Sequence, residues 1–148
     1  MFERTTCACR ECVACCKRQP GPVAPGDLEM IAAYLGETLS GVLSKFWASP
    51  GAVVKDTRTN QVRRIGTITP KLAGGRCVFL GKDDRCSIHS VAPFGCAYAD
   101  MHMPEREWQR RAQVFYVEIE RDTEYQKLRS TLDVATHWNP VVGGGDGG

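Results

Sequence analysis

The sequence predicts a small α+β domain, and three observations carry that prediction. The chain has 148 residues, which is the length of one ordinary domain. Apolar residues make up 43% and charged residues 24%, close to the average of globular proteins. Helical periodicity near both ends encloses a middle part rich in β-branched residues and turn signals. We therefore expect a single domain over residues 1–140 and a flexible glycine-rich tail over residues 141–148.

Two helices are predicted in the first third of the chain. The first begins at Asp27, a residue type that caps helix N-termini well, and ends at Gly36. The second is predicted over residues 38–48, and Pro50-Gly51 ends it. Both have apolar side chains at amphipathic spacing, which are Leu28, Ile31 and Leu35 in the first helix and Leu39, Val42, Leu43, Phe46 and Trp47 in the second.

Two β-hairpins are predicted in the middle of the chain. The composition of residues 52–69 predicts strands on either side of a turn at Thr59-Asn60. After a break at Gly74-Gly75, a second and shorter hairpin is predicted, with arms at residues 77–80 and 86–88. Each arm of this second hairpin carries one cysteine.

Two further helices are predicted toward the C-terminal end. Pro104 suits the first position of a helix whose buried face would contain Trp108, Ala112, Phe115 and Ile119. Residues 114–119 also fit a strand, so that alternative stays open. Asp122 is placed to cap the last helix, and the side chains along its apolar face would be Tyr125, Leu128, Leu132 and Ala135.

Charge and hydropathy argue against several classes of protein. Lys and Arg number 19 and Asp and Glu 17, and the resulting net charge of +2 is too small for a dedicated nucleic-acid binder such as a zinc ribbon. We expect no membrane span, because no uncharged stretch is long and apolar enough. The first residues lack the pattern of a signal peptide, so we expect a cytoplasmic protein. Structural disulfides are rare in that compartment.

The eight cysteines are therefore the most informative residues. Five crowd into residues 7–16 and the others follow after residue 76, a distribution typical of metal ligands or redox groups. Cys9, Cys12 and Cys15 form a C-x2-C-x2-C run, and this spacing lets successive thiolates converge on zinc or an iron–sulfur cluster. Cys16 follows directly and fits a second metal position, a bridge, or a place outside the site. We expect this N-terminal Cys-rich loop, the helices and the hairpins to be organised around a metal site.

The cysteine pattern resembles the CxxCxxCC cysteine-cluster family of zinc- or iron-chelating domain proteins. The box is matched by Cys9, Cys12, Cys15 and Cys16, and the family's second segment is matched by Gly75, Cys77, Phe79, Leu80, Cys86, Ile88, Pro93 and Cys96. Ala92 and Ala97 stand where such proteins tend to have arginine, and His89 where an aromatic is usual. The resemblance implies metal chelation, with candidate ligands Cys9, Cys12, Cys15, Cys16, Cys77, Cys86 and Cys96.

Several neighbouring residues are weaker candidates. Three histidines could complete a site, although a surface or core role is favoured for His89, His102 and His137 alike. Cys7 lies outside the box and is expected to be a spare thiol. The cations beside the cysteines fit either an ordinary solvated surface or a role in offsetting thiolate charge, and they are Arg10, Lys17, Arg18, Arg76, Lys82 and Arg85.

The sequence thus predicts a metal-binding protein with a structural, accessory or electron-transfer role, which includes docking on a larger protein assembly. The C-x2-C-x2-C run with distant thiols favours an iron–sulfur cluster over zinc, and zinc stays open. The alternative is a cytosolic thiol oxidoreductase that uses the C-x-x-C pairs and the vicinal Cys15-Cys16, although no thioredoxin-like pattern surrounds them. No common catalytic motif occurs, so no catalytic residue and no substrate are assigned.

Overall fold

A computed structural model describes residues 21–55, 58–83, 85–91 and 103–135, with Ala52 described by its backbone only. The elements in chain order are α1 (Asp27–Leu35), α2 (Leu39–Leu43), β1 (Phe46–Lys55), β2 (Val62–Pro70), β3 (Leu72–Ala73), β4 (Arg76–Cys77), a 3-10 turn (His89–Val91), α3 (Glu105–Arg121) and α4 (Thr123–Ser130). The strands pair antiparallel, β1 with β2 and β3 with β4. The predicted α+β class is confirmed. The predicted tail at residues 141–148 lies outside the described residues.

Helix α1 ends as predicted but begins differently. Gly36 closes the helix in the left-handed region at φ 67°, which glycine adopts without steric penalty. The prediction that Asp27 is the N-cap is wrong by one residue, since Gly26 holds that position. The Asp27 carboxylate instead accepts a 2.7 Å hydrogen bond from the backbone N–H of Ala24, and this bond fixes the chain entering the helix.

The predicted helix over residues 38–48 is wrong in its second half. Only α2 is helical, with the Thr38 hydroxyl accepting from the N–H of Gly41 at its start. The chain then enters β1, where Phe46 pairs with Pro70 and Ala48 with Ile68 of β2. Pairing with a distant strand overrides the local helical pattern, because strand formation buries Phe46 in the core.

Strands β1 and β2 form the long hairpin, which begins earlier than the predicted range of 52–69. Its register shifts between Ser49 and Ala52 at a β-bulge. Gly51 has φ 76° there, and a Cβ atom on it would lie 1.6 Å from the backbone oxygen of Ile65. The predicted turn at Thr59-Asn60 is confirmed, with Asn60 at φ 60°. Pro50-Gly51 therefore marks a bulge inside a strand rather than the end of a helix.

The second predicted hairpin is present in reduced form. Strands β3 and β4 pair around Gly74-Gly75, which both have positive φ. Beyond them, Leu80 and Cys86 form a single antiparallel bridge instead of two paired arms. The chain from Ser87 turns into the short 3-10 segment, so the predicted second arm at residues 86–88 does not continue as a strand.

The C-terminal helices agree with the prediction apart from their ends. Residues 114–119 are helical, so the strand alternative is wrong. Pro104 is the N-cap of α3 rather than its first helical residue. The predicted cap of α4 is confirmed, because the Asp122 carboxylate accepts from the N–H of Tyr125 at 2.9 Å. Leu132 and Ala135 lie beyond the end of α4 and not on its face.

The core lies between the long hairpin and the helices. Its buried apolar residues come from α1, α2, both hairpin strands, the chain after β4 and α3, with Tyr125 from α4. Two further segments flank the long hairpin: Val23 donates its N–H to the carbonyl of Ile68, and Val134 forms a parallel bridge with Ala48. The described chain from residue 21 to residue 135 is thereby tied to the hairpin near both of its ends.

Candidate metal centre

Two of the seven predicted ligands fall within the described residues. Cys77 and Cys86 are described, as is His89, and the other candidates lie outside the described ranges. Those outside are Cys9, Cys12, Cys15, Cys16 and Cys96, together with Cys7, His102 and His137. The structure therefore bears on these two candidate ligands only, and we call the part of the chain that contains them, residues 72–91, the thiol segment.

Cys77 closes strand β4 and is 6% exposed. Its backbone pairs with Leu72 across the Gly74-Gly75 turn, and its carbonyl accepts from the N–H of Leu80 at 2.9 Å. Cys77 belongs to the same buried cluster as Phe79 and Ile88. This cysteine is consequently held by backbone bonds on both sides within the apolar core.

Cys86 stands on the other side of the turn at residues 81–85. The N–H of Gly81 donates to the carbonyl of Arg85 at 2.8 Å, and the N–H of Ser87 donates to the carbonyl of Phe79 at 2.7 Å. These bonds, with the Leu80–Cys86 bridge, fix the backbone of Cys86 against the chain that follows Cys77. The two thiols are not joined to each other in a disulfide.

The sulfur of Cys86 has a defined environment. Burial raises the pKa of this thiol, because an apolar setting disfavours the charged thiolate. The backbone N–H of Ile88 donates to the sulfur and acts in the opposite direction, lowering the pKa. The larger of the two effects is burial, so the neutral thiol is the favoured form of Cys86 in the absence of a cation.

The described residues do not by themselves make a complete metal site. Among them, no group of three or more His, Cys, Asp or Glu side chains is arranged to hold a metal ion. His89 is exposed on the 3-10 turn, and its backbone N–H donates to the carbonyl of Cys86 at 3.3 Å. Cys77 and Cys86 fit a zinc or iron–sulfur centre in donor chemistry, since such centres use thiolates, and further donors would come from elsewhere in the chain.

Comparison with known families bears directly on these cysteines. A family model described as "CxxCxxCC: Putative zinc- or iron-chelating domain" matches residues 8–130. The chain belongs to this family. The match includes every candidate cysteine except Cys7 and takes in both the thiol segment and the C-terminal helices. No curated protein and no solved structure matches the chain. Membership in the CxxCxxCC family supports zinc or iron binding as the general property of this protein.

The cations of the CxxCxxCC chain near the described cysteines have mixed roles. Arg76 donates through Nη2 to the carbonyl of Gly81 at 2.9 Å, so it braces the turn that carries the cysteines. Lys82 and Arg85 are exposed, and Arg85 lies 4.0 Å from Asp83 in a weak ion pair. Because this hydrogen bond leaves the positive charge of the Arg76 guanidinium in place, both predicted roles of the cations stay open.

Sequence reasoning missed the hydrogen bond to the Cys86 sulfur. Every residue except proline has a backbone N–H, so the donor at Ile88 leaves no mark of its own in the sequence. The sequence does contain Cys86-Ser87-Ile88, and a turn directly after a cysteine is the signal that points to such a bond.

A separate finding concerns membranes: within the described ranges, no helix is long and apolar enough to span one.

Proposed function

We propose that this protein binds an iron–sulfur cluster or zinc at a site shared between its N-terminal cysteine box and the thiol segment. The ligands would be drawn from Cys9, Cys12, Cys15, Cys16, Cys77, Cys86 and Cys96, and the role would be structural, accessory or electron-transferring. One observation carries the proposal: Cys77 and Cys86 both lie within the matched family region, and the Leu80–Cys86 bridge and the hydrogen bond from the N–H of Ser87 to the carbonyl of Phe79 hold the backbone of Cys86 beside the chain that follows Cys77.

The course of the backbone supports a shared site. Val23 is hydrogen-bonded to Ile68, and Leu72, which pairs with Cys77, is the fourth residue after Ile68. Four extended residues span at most about 14 Å. Val23 is the seventh residue after Cys16, and a stretch of seven extended residues spans at most about 24 Å. This length exceeds the span of about 14 Å between Ile68 and Leu72, so the box is within reach of the thiol segment.

The choice between the two metals rests on the arrangement of the thiols. Structural zinc sites commonly use two separate C-x2-C pairs, whereas a C-x2-C-x2-C run is found in iron–sulfur proteins. The chain has such a run, and more cysteines than four-coordinate zinc needs. We therefore favour an iron–sulfur cluster. Clusters hold their charge near the sulfurs, and backbone N–H donors such as that of Ile88 tune the reduction potential.

The first experiment measures metal directly. Protein purified without oxygen should contain at least one iron or zinc per chain by elemental analysis, and a cluster would add acid-labile sulfide and visible absorption. Folded protein that carries no metal after anaerobic purification and reconstitution would contradict the proposal. That result would favour the thiol oxidoreductase, which reversible disulfide formation at Cys15-Cys16 would then test.

A pair of cysteine variants tests whether the thiol segment contributes. Cys86→Ser should lower metal occupancy to less than half of the wild-type value, because it removes a ligand and its bonded environment. Cys7→Ser is the matched control, since Cys7 lies outside the box and should keep full occupancy. Equal occupancy in both variants would mean that Cys86 is not a ligand, and metal loss in Cys7→Ser would mean that the box extends further than proposed.

A further inference from the structure

The turn end of the long hairpin has a concentration of positive charge. Residues 53–65 contain four Lys or Arg residues and a single acidic residue, Asp56. Their net charge is therefore +3, which exceeds the net charge of +2 of the whole chain. A local excess of this kind creates a positive potential that attracts anionic partners.

The pairing of β1 with β2 places two of these cations on one face of the hairpin. Val53 pairs with Arg64 and Lys55 with Val62, and side chains two positions apart on a strand lie on the same face. We call these four side chains the basic face. Three of them are exposed, and Val62 is 62% exposed. Lys55 and Arg64 are diagonal neighbours, a relation that places residues about 7–8 Å apart.

The opposite face of the same hairpin end is covered by α3. Val54 is 3% exposed and belongs to the core, and Arg63 is paired with Glu120 of α3. The side-chain amide of Gln113, also on α3, donates to the carbonyl of Lys55 at 3.4 Å. The helix therefore supports the hairpin end from behind, and the basic face is turned toward solvent.

The two cations of the basic face are not used by the fold. Neither the Lys55 ammonium nor the Arg64 guanidinium has an ion-pair partner among the described residues, whereas the neighbouring Arg63 does. Two like charges on one sheet face do not stabilise each other, and the exposed side chain of Val62 gains nothing from contact with water. A partner that brings carboxylates and covers the valine would complement all three side chains.

We propose that the basic face is a docking surface for an acidic segment of a partner protein, bound in an extended conformation. In an extended segment, alternate side chains lie on one face about 6.6 Å apart, close to the separation of Lys55 and Arg64. Two carboxylates at alternate positions of the segment pair with the two cations, and an apolar part of the segment packs on Val62.

This inference goes beyond the proposed metal site and does not rest on it. Arg64 and Pro70 are six positions apart on β2, which corresponds to about 20 Å of extended strand. The thiol segment begins just after Pro70, so the basic face lies at the other end of the hairpin. Failure of either proposal leaves the other standing.

The composition of the hairpin end favours a protein partner over a nucleic acid. Proteins that bind single strands stack the bases on aromatic side chains, and residues 53–65 contain no Phe, Tyr or Trp. Binding to a duplex relies on many phosphate contacts, and an excess of three charges provides few.

Fluorescence anisotropy on the full-length protein tests the proposal with a labelled peptide of alternating Glu and Thr residues. The same peptide with Gln in place of Glu is the reference. Wild-type protein should bind the Glu peptide at least about fivefold more tightly at low salt, and added salt should reduce the difference because exposed ion pairs are screened. Lys55→Glu/Arg64→Glu should weaken binding at least about tenfold, because two attractions become repulsions.

The matched control is Arg106→Glu/Lys127→Glu, which changes the net charge equally at exposed positions of α3 and α4. Its affinity should stay within about threefold of wild type. A second measurement needs no variant: on addition of the Glu peptide to wild-type protein, amide NMR shifts should change at residues 53–55 and 62–64 and stay constant at residues 72–91.

Several results would overturn the docking surface. Equal affinity of wild type for the two peptides would show that carboxylates are not recognised. Equal weakening in both double variants, or shift changes centred away from the basic face, would show that binding follows net charge and not this surface. Tighter binding of an oligothymidine single strand than of the Glu peptide would make a nucleic acid the partner and contradict the proposal.

Discussion

The long hairpin and the thiol segment are held together in different ways. The long hairpin has strands of ten and nine residues with eight paired positions. Arg129 of α4 braces it further, with Nη2 2.6 Å from the carbonyl oxygen of Ser49 and Nε 3.2 Å from that of Thr67. Arg63 of β2 is joined to Glu120 of α3 by two short ion-pair contacts. Backbone pairing and contacts from two helices therefore hold this hairpin in place.

The thiol segment has far less backbone pairing. Its two strands have two residues each, followed by one isolated bridge. It is attached to the core mainly by the buried side chains of Phe79, Leu80 and Ile88. Phe79 packs against Phe46 of the long hairpin with ring centroids 5.6 Å apart. The difference indicates that the long hairpin is the scaffold, and under the proposed function we expect a metal bound by Cys77 and Cys86 to supply part of the order of the thiol segment.

Metal removal should produce the largest difference in hydrogen exchange between the thiol segment and the long hairpin. Structural zinc contributes on the order of 10–16 kcal/mol in finger peptides, similar to the total stability of about 5–15 kcal/mol of a whole domain. We expect stripping of the metal under reducing conditions to raise hydrogen exchange in residues 72–91 at least about tenfold, while exchange in residues 46–55 and 62–70 changes by less than about threefold. Hydrogen exchange with mass spectrometry measures both regions in one sample. A similar rise in both regions would mean that the hairpin is no independent scaffold.

The second-largest effect is expected from two glycine substitutions, one in each region, which should differ in how much stability they cost. Gly51→Ala places a Cβ atom 1.6 Å from the backbone oxygen of Ile65, so β1 and β2 must move apart at the bulge. Gly74→Ala, at φ 62° in the thiol segment, meets no atom within 4 Å. We expect a loss of about 2–4 kcal/mol for Gly51→Ala from strain and displacement. For Gly74→Ala we expect about 1–2 kcal/mol from the left-handed backbone alone.

Urea denaturation of the metal-loaded proteins measures both losses. Gly51→Ala should lower the midpoint more than Gly74→Ala at an unchanged slope. Gly26→Ala, at φ 90° and also with open space around it, is a second reference for the backbone term alone. If Gly51→Ala lowers the urea midpoint no more than Gly26→Ala does, the bulge adjusts to the added Cβ atom, and the long hairpin is less rigid than its pairing indicates.

Local signals explain which parts of this fold could be predicted from sequence. Asp122 caps α4 and Gly36 ends α1 because capping depends on residues a few positions apart. The helix predicted over residues 38–48 failed because Phe46 and Trp47 continue the apolar spacing of α2 by coincidence. Their strand partners, Pro70 and Thr69, lie more than twenty residues away and leave no local trace.

Prediction of the candidate site from the sequence is limited in the same way, because contacts between distant residues leave no local pattern. Cysteine spacing points to candidate ligands because thiols are side chains of a rare type. The group that donates to the Cys86 sulfur, the backbone N–H of Ile88, is one that every residue type except proline has. The hydroxyl of Tyr125 donates to the carbonyl of Val23 and accepts from the N–H of Ile68, and these groups come together only in the folded protein. In the sequence, Tyr125 is one more apolar position on a helix face, and that is how it was predicted.

The smallest expected effect concerns Glu107 at the start of α3, the helix that contacts the long hairpin through the Arg63–Glu120 ion pair. Hydrogen bonds from Arg110 and Arg111 lower the pKa of Glu107 from 4.5 to about 2. Because the folded pKa is the lower one, the carboxylate stabilises the fold fully above pH 4.5, and this contribution disappears as the pH falls toward 2. The effect on overall stability should be slight, since the ion pairs are at the surface. Carbon-detected NMR titration of metal-free protein should show the Glu107 carboxyl titrating near pH 2, and Glu107→Gln should remove that transition without changing exchange in residues 72–91. A midpoint near 4.5 in protein that is still folded at that pH would show that the two arginines do not hold this carboxylate.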